Sequence, residues 1–285
     1  MALDDTWFTE ICGKDGSAFS LKIKEKLHDE RTPFQHIEIY DTTHFGKLMV
    51  IDGCYMVSSR DNFIYHEMIS HPALFTHPDP KKVLIIGGGD CGTLREVLKH
   101  RDVERAWQID IDEAVTRLSE TYFPELCDSN GDIRARLLFE DGIKWIREAD
   151  ESSIDIIIID STDPVGPAEG LFSESFYRDC QRVLQADGIL VQQSESPIYH
   201  LELLRNMRQA MRDAGFSERK TLYFPQPVYP SGWWSATMAS KETNGLDGFR
   251  ENEVRNKIFK THYYNAHIHK AALAQPQFCK EAGLV

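Results

Sequence analysis

Five aspartates stand where carboxylates can do chemistry. Asp90 lies inside the run Gly87-Gly88-Gly89-Asp90-Cys91-Gly92, Asp110 closes "ERAWQID", Asp141 follows "RARLLFE", and Asp160 and Asp163 close "SIDIIIIDSTD". Acids at the lip of an apolar strand are costly to desolvate unless a cation meets them. The glycine run fits G-x-G-x-x-G between a strand and a helix, so Gly87 permits a tight turn while Gly89 and Gly92 let a ligand and the helix approach. A glycine turn of purely structural purpose is the plainer alternative. Asp110, 18 residues after Gly92, is placed to bind the hydroxyls of a ribose. Asp141, with Gly142, can accept from an adenine amino group or cap the helix that follows, and both roles can hold at once. Together these features indicate an adenosine site.

Asp90 decides what lies beyond the ribose. A dinucleotide would set its pyrophosphate over the glycine turn, where Asp90 would repel it. A sulfonium nucleoside brings positive charge there instead, and a tail with an amine suits Asp90 better than a tail with a carboxylate. Asp160 and Asp163 are expected to face the same space, and three acids around one site attract a ligand with several positive charges, such as a diamine. For Asp163 before Pro164, a turn-starting role is the alternative. Tyr65 and His66 follow a helix onset and can wall the site. His267 and His269 are spaced for a strand but lack companion ligands, so packing or surface roles are expected.

The elements that must position these residues are legible as two segments. "FSLKIKEKL", "FQHIEIYDT" and "KLMVIDGCYMV" show partial alternation between turn-forming stretches, which predicts a small antiparallel sheet. "RDNFIYHEMISHPALFTH" is helical in spacing and is closed by Pro78 and Pro80. From Lys82 onward strands alternate with helices, the pattern of a doubly wound parallel sheet. "SERKTLYF" and "WWSATMASK" predict a hairpin near the end. In such sheets ligands bind beyond the carboxyl ends of the strands, where the five acids fall. The predicted fold class is α/β: a Rossmann-like doubly wound domain (61–285) behind a small antiparallel β domain (1–60).

Composition narrows the function classes. The chain has 285 residues and a net charge of −13, which argues against a nucleic-acid partner and suits a cationic substrate. No run of about 18 apolar residues suggests a membrane span. The first dozen residues carry acids where a secretion signal has a basic region and an apolar stretch. The six cysteines are scattered without metal-ligand spacing. A cytoplasmic protein with free thiols, no structural metal and no bound cofactor is expected.

The motifs "DNFIYHEM", "VLIIGGGDCGTLREVLKH", "FEDG", "IIIIDSTDPVGPAEGLF" and "YPSGWWSATMASK" resemble those of spermidine synthases, the polyamine aminopropyltransferases. The resemblance implies a β domain followed by a methyltransferase-like Rossmann domain, assembled as a homodimer or homotetramer. It also implies transfer of an aminopropyl group from decarboxylated S-adenosylmethionine, a co-substrate, to putrescine. By motif, Gln35, Asp110, Asp141, Gly142 and Pro167 would contact the nucleoside, and Asp90 would hold the aminopropyl amine. Tyr65, His66, Asp163 and Tyr229 would line the diamine side, Gln193 would lie near the site, and Asp160 would accept the proton. Met56, Ser59, Asn62, Cys91 and Asp110 depart from the usual pattern, and Met56 in place of glutamine is expected to remove a polar contact near the donor. The rival readings are a small-molecule methyltransferase on the same fold and a non-catalytic polyamine-binding protein.

Overall fold

In the computed structural model the described residues are 3–163 and 166–284, the side chains of 166 and 167 excepted. Five strands come first: β1 (Trp7–Cys12), β2 (Ser17–Arg31), β3 (His36–Thr42), β4 (Lys47–Ile51) and β5 (Cys54–Ser58). They form one antiparallel sheet in chain order. The predicted strand "KLMVIDGCYMV" is in fact the hairpin β4–β5, because Asp52 and Gly53 both take positive φ (50° and 86°). An Asp-Gly pair is a strong tight-turn signal. The first strand, β1, had no clear alternation and was not among the predicted strands.

Next come α1 (Asn62–Thr76), β6 (Lys82–Gly87), α2 (Gly92–Leu98), β7 (Arg105–Asp110), α3 (Glu113–Tyr122), β8 (Ala135–Phe139), α4 (Gly142–Glu148) and β9 (Ile154–Asp160). A 3-10 segment (Gly166–Phe172) leads to α5 (Glu174–Val183), β10 (Leu184–Gln193), α6 (Leu201–Asp213), β11 (Glu218–Pro225) and β12 (Trp233–Ser240). Three short helices, α7 (Glu251–Asn256), α8 (Ala266–Ala272) and α9 (Gln277–Glu281), end the chain. The seven-stranded sheet runs β11-β12-β10-β9-β6-β7-β8. Strands β8, β7, β6, β9 and β10 are parallel, and the predicted hairpin β11–β12 adds two antiparallel strands at one edge.

Strand β9 sits at the centre, which explains its isoleucines. Ile156 and Ile158 face the core formed with α1 and α2, Ile157 and Ile159 face the core formed with α5 and α6, and all four are inaccessible to solvent. A strand covered on both faces reads as a continuous apolar run. The N-terminal sheet packs Ile37, Ile39, Met49 and Val57 against Val115 and Leu118 of α3. The domain junction therefore lies over the carboxyl ends of β6 and β7. His267 and His269 fall on helix α8, not on a strand, and His269 is buried, stacked on Phe249 and bonded to Tyr264.

Candidate active site

A tight polar cluster forms where β6 and β9 end. Gly87 pairs in register with Asp160, and its φ of +83° leaves a hypothetical Cβ 2.1 Å from the Asp160 carbonyl oxygen, so only glycine fits. The amide of Gly88 donates to that carbonyl at 2.7 Å. The Asp160 carboxylate then receives two hydroxyls: Tyr65 donates to Oδ1 and Thr93 to Oδ2, each at 2.6 Å. Burial, and next the nearby charge of Asp90, push the Asp160 carboxyl above its ordinary pKa, although both hydroxyls oppose the shift. The result is a carboxylate more basic than usual, held in one orientation.

Asp90 is treated differently by its surroundings. Its Oδ2 lies 3.0 Å from His66 Nε2, and its Oδ1 accepts from the amide of Gly92 at 2.8 Å. Burial alone would raise its pKa, but the His66 imidazole and the Gly92 amide hold it below the usual value. His66 is raised in turn by Asp90, against its own burial. Imidazole and carboxylate are packed so closely that a Cβ on Gly92 would meet the His66 ring at 2.1 Å.

Asp110 and Asp141, the expected nucleoside contacts, lie at and just beyond the carboxyl ends of β7 and β8. Asp110 is pushed up to about 6, first by burial, with the Asp112 amide at 2.9 Å opposing. Gln35 bonds the residue two beyond Asp110: its Nε2 donates to Asp112 Oδ2 at 2.9 Å, beside the Thr32 hydroxyl at 2.7 Å. This bond carries the N-terminal sheet to the first turn of α3, which Asp112 caps. Asp141 is an N-cap, accepting from Ile143 and Lys144 amides at 2.8 and 3.3 Å, while Gly142 packs against Ile86 with no room for a side chain. Pro164 and the side chain of Pro167 lie outside the described residues.

Asp90, Asp160 and Asp163 all act on the Tyr229 hydroxyl, and Asp163 lies in a cavity lined by Glu10, Met56, Tyr65, Gln193 and Tyr229, among others. Burial, then Glu195 and Glu10, push Asp163 up to about 8. Glu10 rises to about 7, mainly by burial, despite accepting the Tyr55 amide at 2.7 Å. Gln193 donates to Glu195 Oε1 at 3.0 Å and accepts the Glu195 amide at 3.2 Å. Tyr229 donates to the Met56 carbonyl at 2.8 Å, its ring set against Tyr65 and Trp234. Met56 therefore lines the cavity of acids, not solely a donor wall, while Asn62 and Ser59 tie the β5–α1 junction.

Three residues escaped the sequence reading. Thr93 follows the glycine run and carried no motif. Glu10 lies on the overlooked β1. Glu195 lies just beyond the carboxyl end of β10, so the rule that flagged the other acids applied to it as well. Among the described residues a group with metal-ligand proximity is Asp29, His36 and Glu38, but the Lys26 ammonium already pairs with Asp29 and Glu38 at 2.7 and 2.5 Å.

Comparison with known proteins gives the chain's family. Residues 62–247 match the spermine/spermidine synthase domain, and residues 6–58 match the spermidine synthase tetramerisation domain. The chain is 66% identical to a polyamine aminopropyltransferase of Methylococcus capsulatus, covering 97% of this chain and 96% of that one. It is 62% identical to a polyamine aminopropyltransferase of Thioalkalivibrio sulfidiphilus, covering 99% of both. A solved spermidine synthase in complex with the transition-state analogue AdoDATO superposes at a TM-score of 0.95 with 34% identity, covering 100% of this chain and 97% of that chain. The spermidine synthase of Thermotoga maritima superposes at 0.92 with 35% identity, over 98% and 94%. By its sequence along nearly the whole length and by its fold, the chain belongs to the spermine/spermidine synthase family.

Proposed function

We propose that this chain transfers the aminopropyl group of decarboxylated S-adenosylmethionine to putrescine, giving spermidine and 5'-methylthioadenosine. The observation that carries the reading is the division of buried acids into two groups. A basic Asp160 held by Tyr65 and Thr93 lies beside Asp90, and Tyr65 also lines a cavity that holds Glu10 and Asp163, the latter next to Glu195. A diammonium ion spanning that cavity would meet carboxylates at both ends.

The chemistry needs this division. An alkylamine of lysine-like pKa, about 10.4, is neutral at pH 7 in roughly one molecule of 2,500, a cost of about 4.6 kcal/mol. Acids that merely bind the amine deepen that cost. The distal group at Asp163 would grip one ammonium, while Asp160 takes the proton from the other as its nitrogen attacks the carbon bound to sulfur. The carbon–sulfur bond breaks, its electrons neutralise the sulfonium, and the thioether leaves. Asp90, kept ionised by His66, would hold the donor's amine and disfavour a donor bearing a carboxylate in the same place. Asp110 and Asp141 would receive the ribose and adenine, and fixed in-line placement would supply the rest. Association through the N-terminal sheet into a dimer or tetramer fits the domain matched there.

The test is to incubate the protein with decarboxylated donor and putrescine and to follow spermidine and methylthioadenosine together. Equal formation of both is expected. Methyl transfer from S-adenosylmethionine, or binding of putrescine without turnover, would overturn the reading.

A further inference from the structure

Helix α1 carries three consecutive buried polar side chains that bond to three different parts of the molecule, and the proposed chemistry uses two of them. Tyr65 reaches Asp160 at the end of β9, and His66 reaches Asp90 in the glycine turn. Glu67, inaccessible to solvent, bonds instead to the segment between α7 and α8. Its Oε1 accepts the His262 amide at 2.7 Å, and its Oε2 accepts the amides of Tyr263 and Tyr264 at 2.9 and 2.7 Å. Successive helical residues project about 100° apart, so the three side chains leave α1 on three sides. Phe63, one turn before Glu67 on the same face, meets the same segment, its ring centred 5.3 Å from that of His262.

Pro72 explains why α1 needs holding on that side. A proline inside the helix offers no N–H to the Met68 carbonyl, and its ring crowds that carbonyl. The first half of α1, which bears Tyr65 and His66, is thereby weakly joined to the second half, which His71 ties to Glu96 of α2 at 3.1 Å. The start of the first half is held by Asn62, which donates to the carbonyls of Ser58 and Ser59. Its rotation must be fixed further along. At the radius of helical side chains, about 5–6 Å, a rotation of about 10° moves a side-chain tip by about an ångström. Misplacement of that size at a reacting site costs about a hundredfold in rate.

We propose that Glu67 is a positioning residue for the transfer: by clamping the amides of residues 262–264 it fixes the rotation of α1, and so the aim of Tyr65 at Asp160 and of His66 at Asp90. A carboxylate has two acceptor oxygens and no donor, which suits three converging N–H groups, whereas an amide of the same shape turns an N–H on one of them. The clamp leaves a mark on titration. Burial and Asp90 raise the Asp160 carboxyl, while His66, Thr93 and Tyr65 oppose the rise. A base that loses the Tyr65 hydroxyl therefore ionises at higher pH. The effect on turnover rests on the proposed roles of Asp160 and Asp90; the clamp itself does not.

The experiment compares the full-length wild type with Glu67→Gln, Tyr65→Phe and the double variant, each below its melting temperature. In Glu67→Gln circular dichroism is unchanged, kcat falls at least about tenfold, and the donor KM rises several-fold. The acid limb of its kcat profile moves up by about one pH unit, as it does in Tyr65→Phe, and the double variant moves it no further. A lower melting temperature with wild-type kcat and acid limb would make the bond merely structural and overturn the proposal. So would limb shifts that add in the double variant. Where the glutamine variant is insoluble, a measurement without turnover decides. By reciprocity, loss of the Tyr65 bond loosens the clamp. Amides 262–264 of unliganded Tyr65→Phe are thus expected to exchange hydrogen several-fold faster than in the wild type, while amides of β2 and β3 keep their rates. Unchanged exchange at 262–264 would overturn the proposal. Faster exchange there in a protein with no aminopropyl transfer would uphold the clamp and count against the proposed function.

Discussion

Asp160 and Asp163 are three residues apart, yet their surroundings give them different work. Asp160 receives two hydroxyls and feels Asp90, which leaves it a single oriented base. Asp163 is buried and feels Glu195 and Glu10, so it keeps its proton to higher pH. Asp160→Asn is expected to lower kcat by about 10²–10⁴-fold, the range for loss of a general base. Calorimetry should find methylthioadenosine binding within about twofold of wild type, since the proposed nucleoside contacts, Asp110 and Asp141, lie at the ends of β7 and β8; a parallel loss of that affinity would move Asp160 out of the base role. Asp163 predicts a pH effect on stability. With a folded pKa of about 8 against an ordinary 3.8, the native state binds a proton between those values that the unfolded chain has already lost. Stability from this group is full below pH 4 and falls as pH rises to 8. Asp163→Asn should therefore raise the melting temperature at pH 8 and leave it unchanged at pH 4, without substrate. A stabilisation of equal size at both pH values would contradict the shift.

At the scale of elements, the glycine turn joins sheet to site. Gly92 takes no positive φ, so alanine can adopt its backbone, but the added Cβ would meet the His66 ring at 2.1 Å. Gly92→Ala is expected to fold, to displace His66 from Asp90, and to raise the donor KM about tenfold or more while the putrescine KM changes far less. Charge-assisted hydrogen bonds of about 1.5–3 kcal/mol set that scale. An unchanged donor KM would show that the His66–Asp90 contact is dispensable. This turn was readable in advance because its glycines, strand and helix are contiguous. The parallel strands, Asp110 at the end of β7, Asp160 at the end of β9 and the β11–β12 hairpin were readable for the same local reason. What was not readable depends on residues far apart in sequence. Nothing near Glu10 signals that β1 will bring it to Asp163, and nothing near Gln35 signals its bond to Asp112. The grouping of Asp163 with Glu195 is likewise set by the packing of loops across β9 and β10. Hairpin β4–β5 was missed for a different reason, since two short strands around Asp52-Gly53 share one apolar pattern.

For the molecule as a whole, the two sheets make one site because each supplies acids to the same cavity. Glu10 comes from the first strand of the N-terminal sheet and Asp163 from the loop after β9, while Glu195, beyond β10, acts on Asp163. Glu10→Gln is thus expected to raise the putrescine KM about tenfold, the scale of a lost charge-assisted bond, with methylthioadenosine affinity unchanged; a matching loss of the nucleoside would mean a merely disrupted interface. The same acids sit in a chain of net charge −13, and the two properties act over different ranges. Contacts inside the buried cavity are poorly screened by salt, whereas the field of the whole surface is cut off beyond a Debye length, about 10 Å at 0.1 M. A dication drawn in by that field arrives more slowly as salt rises. The kcat/KM for putrescine should then fall several-fold between about 0.02 and 0.5 M sodium chloride, where the Debye length shrinks from over 20 Å to about 4 Å. Inhibition by methylthioadenosine, which is uncharged, should stay nearly constant over the same series. Because kcat at saturating putrescine involves no capture step, it should hold steady too. A salt-independent kcat/KM would assign acceptor affinity wholly to the buried carboxylates and leave the surface charge without a part in capture.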